Sequence, residues 1–285
     1  MIALAAGPEL HHWIVEHARE GHDPLGLVAQ MQAQGWPEDQ AIELVQSSLQ
    51  AHLSDHAREN GLPLPASIPE PMELGGPHWI NAGDWQVAVL ANLRQPRVVV
   101  LGSLLANEEC DKLISLAGAS IQRSETFLMD EGVSVVHEGR TSDGMFFPRA
   151  ENDLCRRIEA RLAALCHWPV ENGEGLQVLR YGPGAEDKPH YNYFDPELAG
   201  SQKVLGHGGQ RLASLVIYCN TPRRGEATTF PDAGLEVAPI KGNAVFFSYD
   251  RPDPMTQTLH GGAPVLEGEK WVATKWLRER SYCST

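Results

Sequence analysis

The chain has 285 residues, 42% of them hydrophobic, and a formal net charge of -14 at neutral pH. That length accommodates a large domain together with a small module, and two domains are the expectation. The acidic balance repels an extended phosphate backbone, which argues against a nucleic-acid partner.

The cysteines Cys110, Cys155, Cys166, Cys219 and Cys283 are far apart and form no CxxC pair, so they read as reduced, mostly buried thiols. Met1 to Leu10 has neither a basic stretch nor a long apolar run. No segment approaches the roughly 20 apolar residues that span a bilayer, so the expected location is the cytoplasm, without a membrane partner.

Residues 9–59 carry apolar positions at helical spacing: Leu10, Trp13 and Ile14, then Leu25, Leu27, Val28 and Met31, then Ile42, Leu44, Val45, Leu49 and Leu53. Asp23-Pro24 and Trp36-Pro37-Glu38-Asp39 supply helix starts, because proline fits the first turn and acidic residues favour its positive end. Three helices are predicted, forming a small all-α module over residues 1–60. Met31 to Leu49, with Gly35-Trp36, loosely resembles a ubiquitin-associated module. The segment reads either as a plain helical bundle or as a peptide-binding unit that recruits a protein partner.

Residues 61–78 hold Pro63, Pro65, Pro69, Pro71 and Pro77 and read as an extended connector. The second domain is then expected over residues 79–285. It opens with β-rich runs at Gln86–Leu90 and Arg97–Leu101 and with helical periodicity at Asn107–Ala117 and Glu151–Cys166. From Gly175 onward, strands are predicted at Leu176–Tyr181, His190–Phe194, Leu212–Cys219, Ala227–Phe230, Leu235–Pro239, Asn243–Ser248 and Trp271–Leu277. Many short strands between glycine and proline turns, after a helical prelude, argue for a barrel or sandwich with helices packed outside.

Two of the twelve histidines stand out in the β-rich half. His190 lies in Lys188-Pro189-His190-Tyr191-Asn192-Tyr193-Phe194, and His260 in Thr258-Leu259-His260-Gly261-Gly262. Residues i and i+2 of a strand share a face, so His190 and Asn192 can point together into a barrel, where a distant His260 completes a cluster. A non-haem iron oxygenase needs two imidazoles and one carboxylate on one face of the metal, because the opposite face stays open. Lys270 follows ten residues after His260, and a buried ammonium there would clamp the far carboxylate of an oxo-diacid.

Residues 174–278 resemble the prolyl 4-hydroxylase family of iron(II)/2-oxoglutarate dioxygenases. The likeness runs through Leu176 to Gly184, Pro189-His190-Tyr191, Gly209-Gln210-Arg211, Thr229-Phe230-Pro231, Gly242-Asn243-Ala244 and His260 to Trp276, with Arg140-Thr141-Ser142 upstream. The resemblance implies an α+β fold built on a double-stranded β-helix, a jelly-roll or cupin-like core with packed helices. It implies that His190 and His260 bind iron, that Asn192 stands where the family has an aspartate ligand, and that Lys270 and Tyr181 bind 2-oxoglutarate. Arg211 and Trp276 would line the substrate mouth, with Glu174 near the substrate, while Asp187 stands where many relatives have a tyrosine.

The implied reaction hydroxylates a prolyl-type C–H bond of a peptide, protein or small molecule and releases succinate and CO2, with ascorbate as an accessory reductant. Asparagine is neutral and stabilises iron(II) less than a carboxylate does. It leaves three alternatives open: a working site with an amide ligand, a weakened or inactive member acting as a peptide-binding protein, or an altered chemistry with an extra anion on iron.

Overall fold

The glycine- and proline-punctuated runs after Gly175 condense into two facing sheets, and the helical stretches before them form separate layers. The computed structural model describes residues 7–62, 66–72, 76–123, 126–128, 133–135 and 141–283. Arg140, Pro63 and Pro65 lie outside the described residues. Contacts divide the chain into two units, Met1–Ala66 and Ser67–Thr285.

The first unit consists of α1 (Pro8–Arg19), α2 (Pro24–Ala33) and α3 (Glu38–Glu59). Pro8 and Pro24 each stand in a first turn, and the Asp23 side chain caps α2 by accepting from the Gly26 amide at 2.8 Å. Gly35, at φ +95°, makes the left-handed turn between α2 and α3 that a side chain would oppose. Leu10, Ile14, Leu27, Val28, Met31, Ala41 and Val45 form the core, with Trp13 and Trp36 packed against it. Trp36 therefore serves the module's own packing.

The second unit contains strands β1 (Trp79–Asn81), β2 (Gln86–Leu93), β3 (Val98–Gly102), β4 (Gln122–Arg123), β5 (Thr126–Leu128), β6 (Val133–Val135), β7 (Asp143–Phe147), β8 (Leu176–Tyr181) and β9 (Asp187–His190). After these come β10 (Arg211–Tyr218), β11 (Arg224–Gly225), β12 (Thr228–Phe230), β13 (Leu235–Val237), β14 (Ala244–Ser248), β15 (His260–Gly262), β16 (Val265–Glu267) and β17 (Lys270–Arg278). Its helices are α4 (Asn107–Gly118), α5 (Asp153–Cys166) and α6 (Ala199–Leu205).

The large sheet runs β1-β2-β3-β14-β10-β17-β8-β7-β4, and a smaller sheet runs β13-β12-β15-β9. From β8 to β17 the chain passes repeatedly between them: β8, β10, β14 and β17 lie in the large sheet, and β9, β12, β13 and β15 in the small one. This winding is the double-stranded β-helix.

Both faces of the large sheet are covered, so its central strands are apolar without alternation. On β10, Ala213, Leu215 and Ile217 join the cluster that holds Cys110, Leu113, Ile158 and Leu162 of α4 and α5. On the inner face, Leu179, Tyr181, Tyr218, Val245, Phe247 and Val272 pack toward Phe230 of the small sheet. Along β17, Lys270, Val272, Thr274, Trp276 and Arg278 share this inner parity, while Lys275 faces α5 and pairs with Glu159 at 2.7 Å. All nine β17 residues are buried, so its polar residues are committed to interior partners.

Three expectations shift. The strand predicted over His190–Phe194 is Asp187–His190, because Phe194 bonds the Gln210 side chain, whose Oε1 accepts from its amide at 2.8 Å and whose Nε2 donates to its carbonyl at 2.7 Å. The helix Ala199–Leu205 escaped prediction because its glycine and serine content favours a turn. Part of the expected connector packs on the second unit: the Glu70 carboxylate accepts from Arg97 Nε at 2.8 Å, and the Glu70 amide donates to the Cys166 carbonyl at 3.1 Å. Four cysteines are buried, Cys283 is exposed, and all five are free.

Candidate active site

Strands β9 and β15 pair so that His190 and His260 are direct neighbours, with ring centroids 4.5 Å apart. His190 Nδ1 lies 2.8 Å from the Lys188 carbonyl and His260 Nδ1 lies 2.9 Å from the Thr258 carbonyl. A carbonyl only accepts, so each Nδ1 carries a proton and each Nε2 is the nitrogen left to face a metal. Burial, and then the neighbouring His190, hold His260 well below its ordinary pKa. The ring is thus neutral, as a metal ligand must be.

Asn192 lies two residues beyond the end of β9, outside the strand on which parity would place it, and its side chain turns toward His260. Its amide nitrogen is 3.1 Å from His260 Nε2 and 3.0 Å from Ser214 Oγ, and Ser214 Oγ is 3.0 Å from the Tyr249 hydroxyl. A half-turn of the amide puts its oxygen beside the imidazole nitrogen, where Ser214 can donate to it. Two imidazoles and a neutral amide oxygen fit an iron(II) ion, with one negative charge fewer than a carboxylate set supplies. Among the described residues no group of three or more His, Cys, Asp or Glu side chains makes a metal cage. Asp195 accepts from the Glu197 amide in a turn, and Asp187 approaches the Nδ1 edge of His190 at 3.8 Å.

Deeper along the same inner face lies Lys270, 3% exposed, paired in register with Tyr181 of β8. Its ammonium stands 5.6 Å from the Tyr181 ring and 5.8 Å from the Tyr218 ring. The Tyr181 hydroxyl donates to Asp187 Oδ2 at 3.1 Å. Glu226, between β11 and β12, places Oε1 3.2 Å from Lys270 Nζ. Burial pushes the Glu226 carboxyl up to about 7 against the pull of Lys270, and burial lowers the Lys270 ammonium against the pull of Glu226 and Asp187. An ammonium and a phenol on one wall fit the far carboxylate of 2-oxoglutarate, and Glu226 already stands against that ammonium.

Toward the opposite end, Glu174, Arg211 and Trp276 come together. Glu174 accepts from Arg211 Nε at 2.7 Å and Nη2 at 2.8 Å, and Arg278 Nε lies 3.0 Å away. The Arg211 guanidinium sits 4.0 Å from the Trp276 ring centroid and 4.7 Å from that of Phe194. Burial raises the Glu174 carboxyl, but Arg211 and Arg278 outweigh it and hold the group below its ordinary value. Glu174 is therefore an anchor for two arginines, and Arg211 presents a fixed planar cation beside Trp276.

Sequence reasoning did not place Glu226, Ser214 or Tyr249 in the site. A glutamate after a glycine turn has the pattern of a solvated loop residue, and Ser214 sits in an otherwise apolar strand.

Residues 176–278 match the family model described as the 2OG-Fe(II) oxygenase superfamily. Prolyl 4-hydroxylase 2 of Arabidopsis thaliana is 38% identical over 213 residues, covering 66% of this chain and 69% of that protein. The chain belongs to the prolyl 4-hydroxylase family. Prolyl 4-hydroxylase 1 of the same plant is 36% identical over 228 residues, covering 71% of this chain and 78% of the relative. The chain spans 64% of the length of another member, probable prolyl 4-hydroxylase 7, at 37% identity over 207 residues. A solved viral collagen prolyl hydroxylase from Paramecium Bursaria Chlorella virus-1, in complex with 2OG, is 28% identical with a TM-score of 0.49, covering 64% of this chain and 95% of that one. Members of this family are 2-oxoglutarate-dependent dioxygenases, and their cofactors are iron(II) and 2-oxoglutarate.

Proposed function

We propose that this chain hydroxylates a prolyl C–H bond in a peptide, with His190, His260 and the Asn192 amide oxygen holding iron(II) and Lys270 anchoring 2-oxoglutarate. The observation that carries this reading is the convergence of two Nε2-offering imidazoles on one inner face with a buried ammonium deeper along it. When bound, iron(II) and 2-oxoglutarate activate O2, so that one oxygen atom enters the substrate as hydroxyl and the other enters succinate as CO2 leaves.

The chain's own residues orient and shield. The Lys188 and Thr258 carbonyls fix both imidazole tautomers. Phe230, Phe247 and Tyr218 keep the inner face dry. Arg211, held flat by Glu174 and stacked on Trp276, offers donors to a peptide carbonyl at the mouth. The Met1–Ala66 unit, with a core of its own, serves recruitment of the peptide.

Mass spectrometry of proline-containing peptides and free proline incubated with the chain, iron(II) and 2-oxoglutarate tests the reading. Gain of one oxygen on a prolyl residue, matched by equimolar succinate, is the expected result. One observation favours a second reading, a peptide-binding protein without turnover: the Asn192 amide hydrogen covers His260 Nε2 at 3.1 Å. Peptide binding without succinate would establish it.

A further inference from the structure

Glu226 combines three features that rarely occur together. It is 1% exposed, its backbone lies at φ +74°, and among the described residues no group besides the Lys270 ammonium stands against its carboxylate oxygens. A buried anion is normally hydrogen-bonded, and a non-glycine residue at positive φ is held there only by surrounding structure. What holds the Glu226 side chain is the Lys270 ammonium, 3.2 Å from Oε1, which also reaches the Glu226 carbonyl at 3.3 Å.

The pocket is already acidic without a cosubstrate. Asp187 acts on the same ammonium. Lys270 Nζ and Asp187 Cβ both flank Gly262, within 3.8 Å and 3.6 Å of where a Cβ there would stand. One ammonium therefore faces two carboxyl side chains, and the far carboxylate of 2-oxoglutarate would be a third. Like charges gathered in a dry site repel strongly, and a single cation does not satisfy three anions.

We infer that Glu226 is a specificity-determining residue, an internal carboxylate that competes with the far carboxylate of 2-oxoglutarate for Lys270. This rests on the reading of Lys270 as the cosubstrate anchor. Binding of the oxo-diacid requires Glu226 to leave the ammonium, so only the fraction of molecules with a vacated ammonium is competent and the apparent affinity falls by that fraction. A 2-oxo acid of the same chain length with no far carboxylate does not need Lys270, and Glu226 costs it nothing. The wild-type pocket thus discriminates weakly between 2-oxoglutarate and 2-oxovalerate.

The test is equilibrium binding of these two acids, without turnover, to the Mn(II)-loaded full chain. Glu226→Gln keeps the side-chain shape and removes the charge; Glu226→Gly suits the positive φ and empties the position. Both variants are expected to tighten 2-oxoglutarate by about tenfold or more, with 2-oxovalerate changed by less than about twofold. Unchanged or weaker 2-oxoglutarate binding in both variants, with thermal unfolding showing them folded, overturns the inference. Lys270→Met in the Glu226→Gln background separates the two layers. It is expected to abolish the gain for 2-oxoglutarate alone, whereas a retained gain overturns the anchor reading and the inference with it.

Discussion

Asn192→Asp perturbs the proposed metal site at the position where the resemblance implies an aspartate ligand. Asn192 is 8% exposed and 3.1 Å from His260 Nε2, and aspartate has nearly the same volume. Without metal the new carboxylate would face a buried imidazole, and the pair relieves itself when His260 takes up a proton. With metal, a carboxylate about 4 Å from a dication gains about 8 kcal/mol at an effective dielectric of about 20, twice the value for two unit charges. Burying the carboxylate takes back several kcal/mol, and displacing the His260 proton takes back more. A surplus of about 3 kcal/mol remains, which is roughly a hundredfold in affinity. Calorimetric titration with Mn(II) at neutral pH measures it, and the variant should also bind more steeply with rising pH because one more proton is released. Equal or weaker binding by the aspartate variant would refute the placement of residue 192 at the metal.

Ser214→Ala removes the hydroxyl 3.0 Å from the Asn192 amide and should weaken Mn(II) binding by about tenfold while moving unfolding little. Glu174→Gln strips the counter-charge from Arg211 and Arg278 and should lower stability by about 3–5 kcal/mol, read by urea unfolding. Because those arginines depress the Glu174 carboxyl, its contribution is present above the unfolded-state value and is lost as pH falls through the folded one. The gap between wild type and variant should therefore be full at neutral pH and close in acid. Lys275→Met removes the counter-charge of Glu159, which is 3% exposed and keeps only the Ala150 amide on Oε2, and should lower the midpoint by about 6–20 °C. Adding Glu159→Leu should recover most of that loss.

His190 and Asn192 are paired by their i, i+2 spacing, whereas His260, Lys270 and Tyr181 stand out through the ordered motifs that carry the family resemblance. His190 is two residues from Asn192, Lys270 opens a run alternating with Val272, Thr274 and Trp276, and glycines mark the turns. The same punctuation predicts seven strands in a barrel or sandwich; the double-stranded winding is implied by the family resemblance, and β15 at His260–Gly262 was missed. What escaped depends on tertiary contact. The break after His190 arises from Gln210, sixteen residues beyond Phe194, satisfying the Phe194 backbone. The commitment of Glu174 to two arginines follows from pairing of β10 and β17, which brings Arg211 and Arg278 into register. Glu226 reads as a solvated turn residue, and only the packing of β12 against the inner face makes it a pocket carboxylate.

The central claim, that two distant imidazoles and the Lys270 wall form one iron and 2-oxoglutarate site, is tested most directly by anaerobic visible absorption. Adding 2-oxoglutarate to the iron(II)-loaded chain should produce a metal-to-ligand charge-transfer band, absent in His190→Ala and in His260→Ala and shifted to higher 2-oxoglutarate concentration by Lys270→Met. A band of undiminished intensity in either histidine variant would contradict the account.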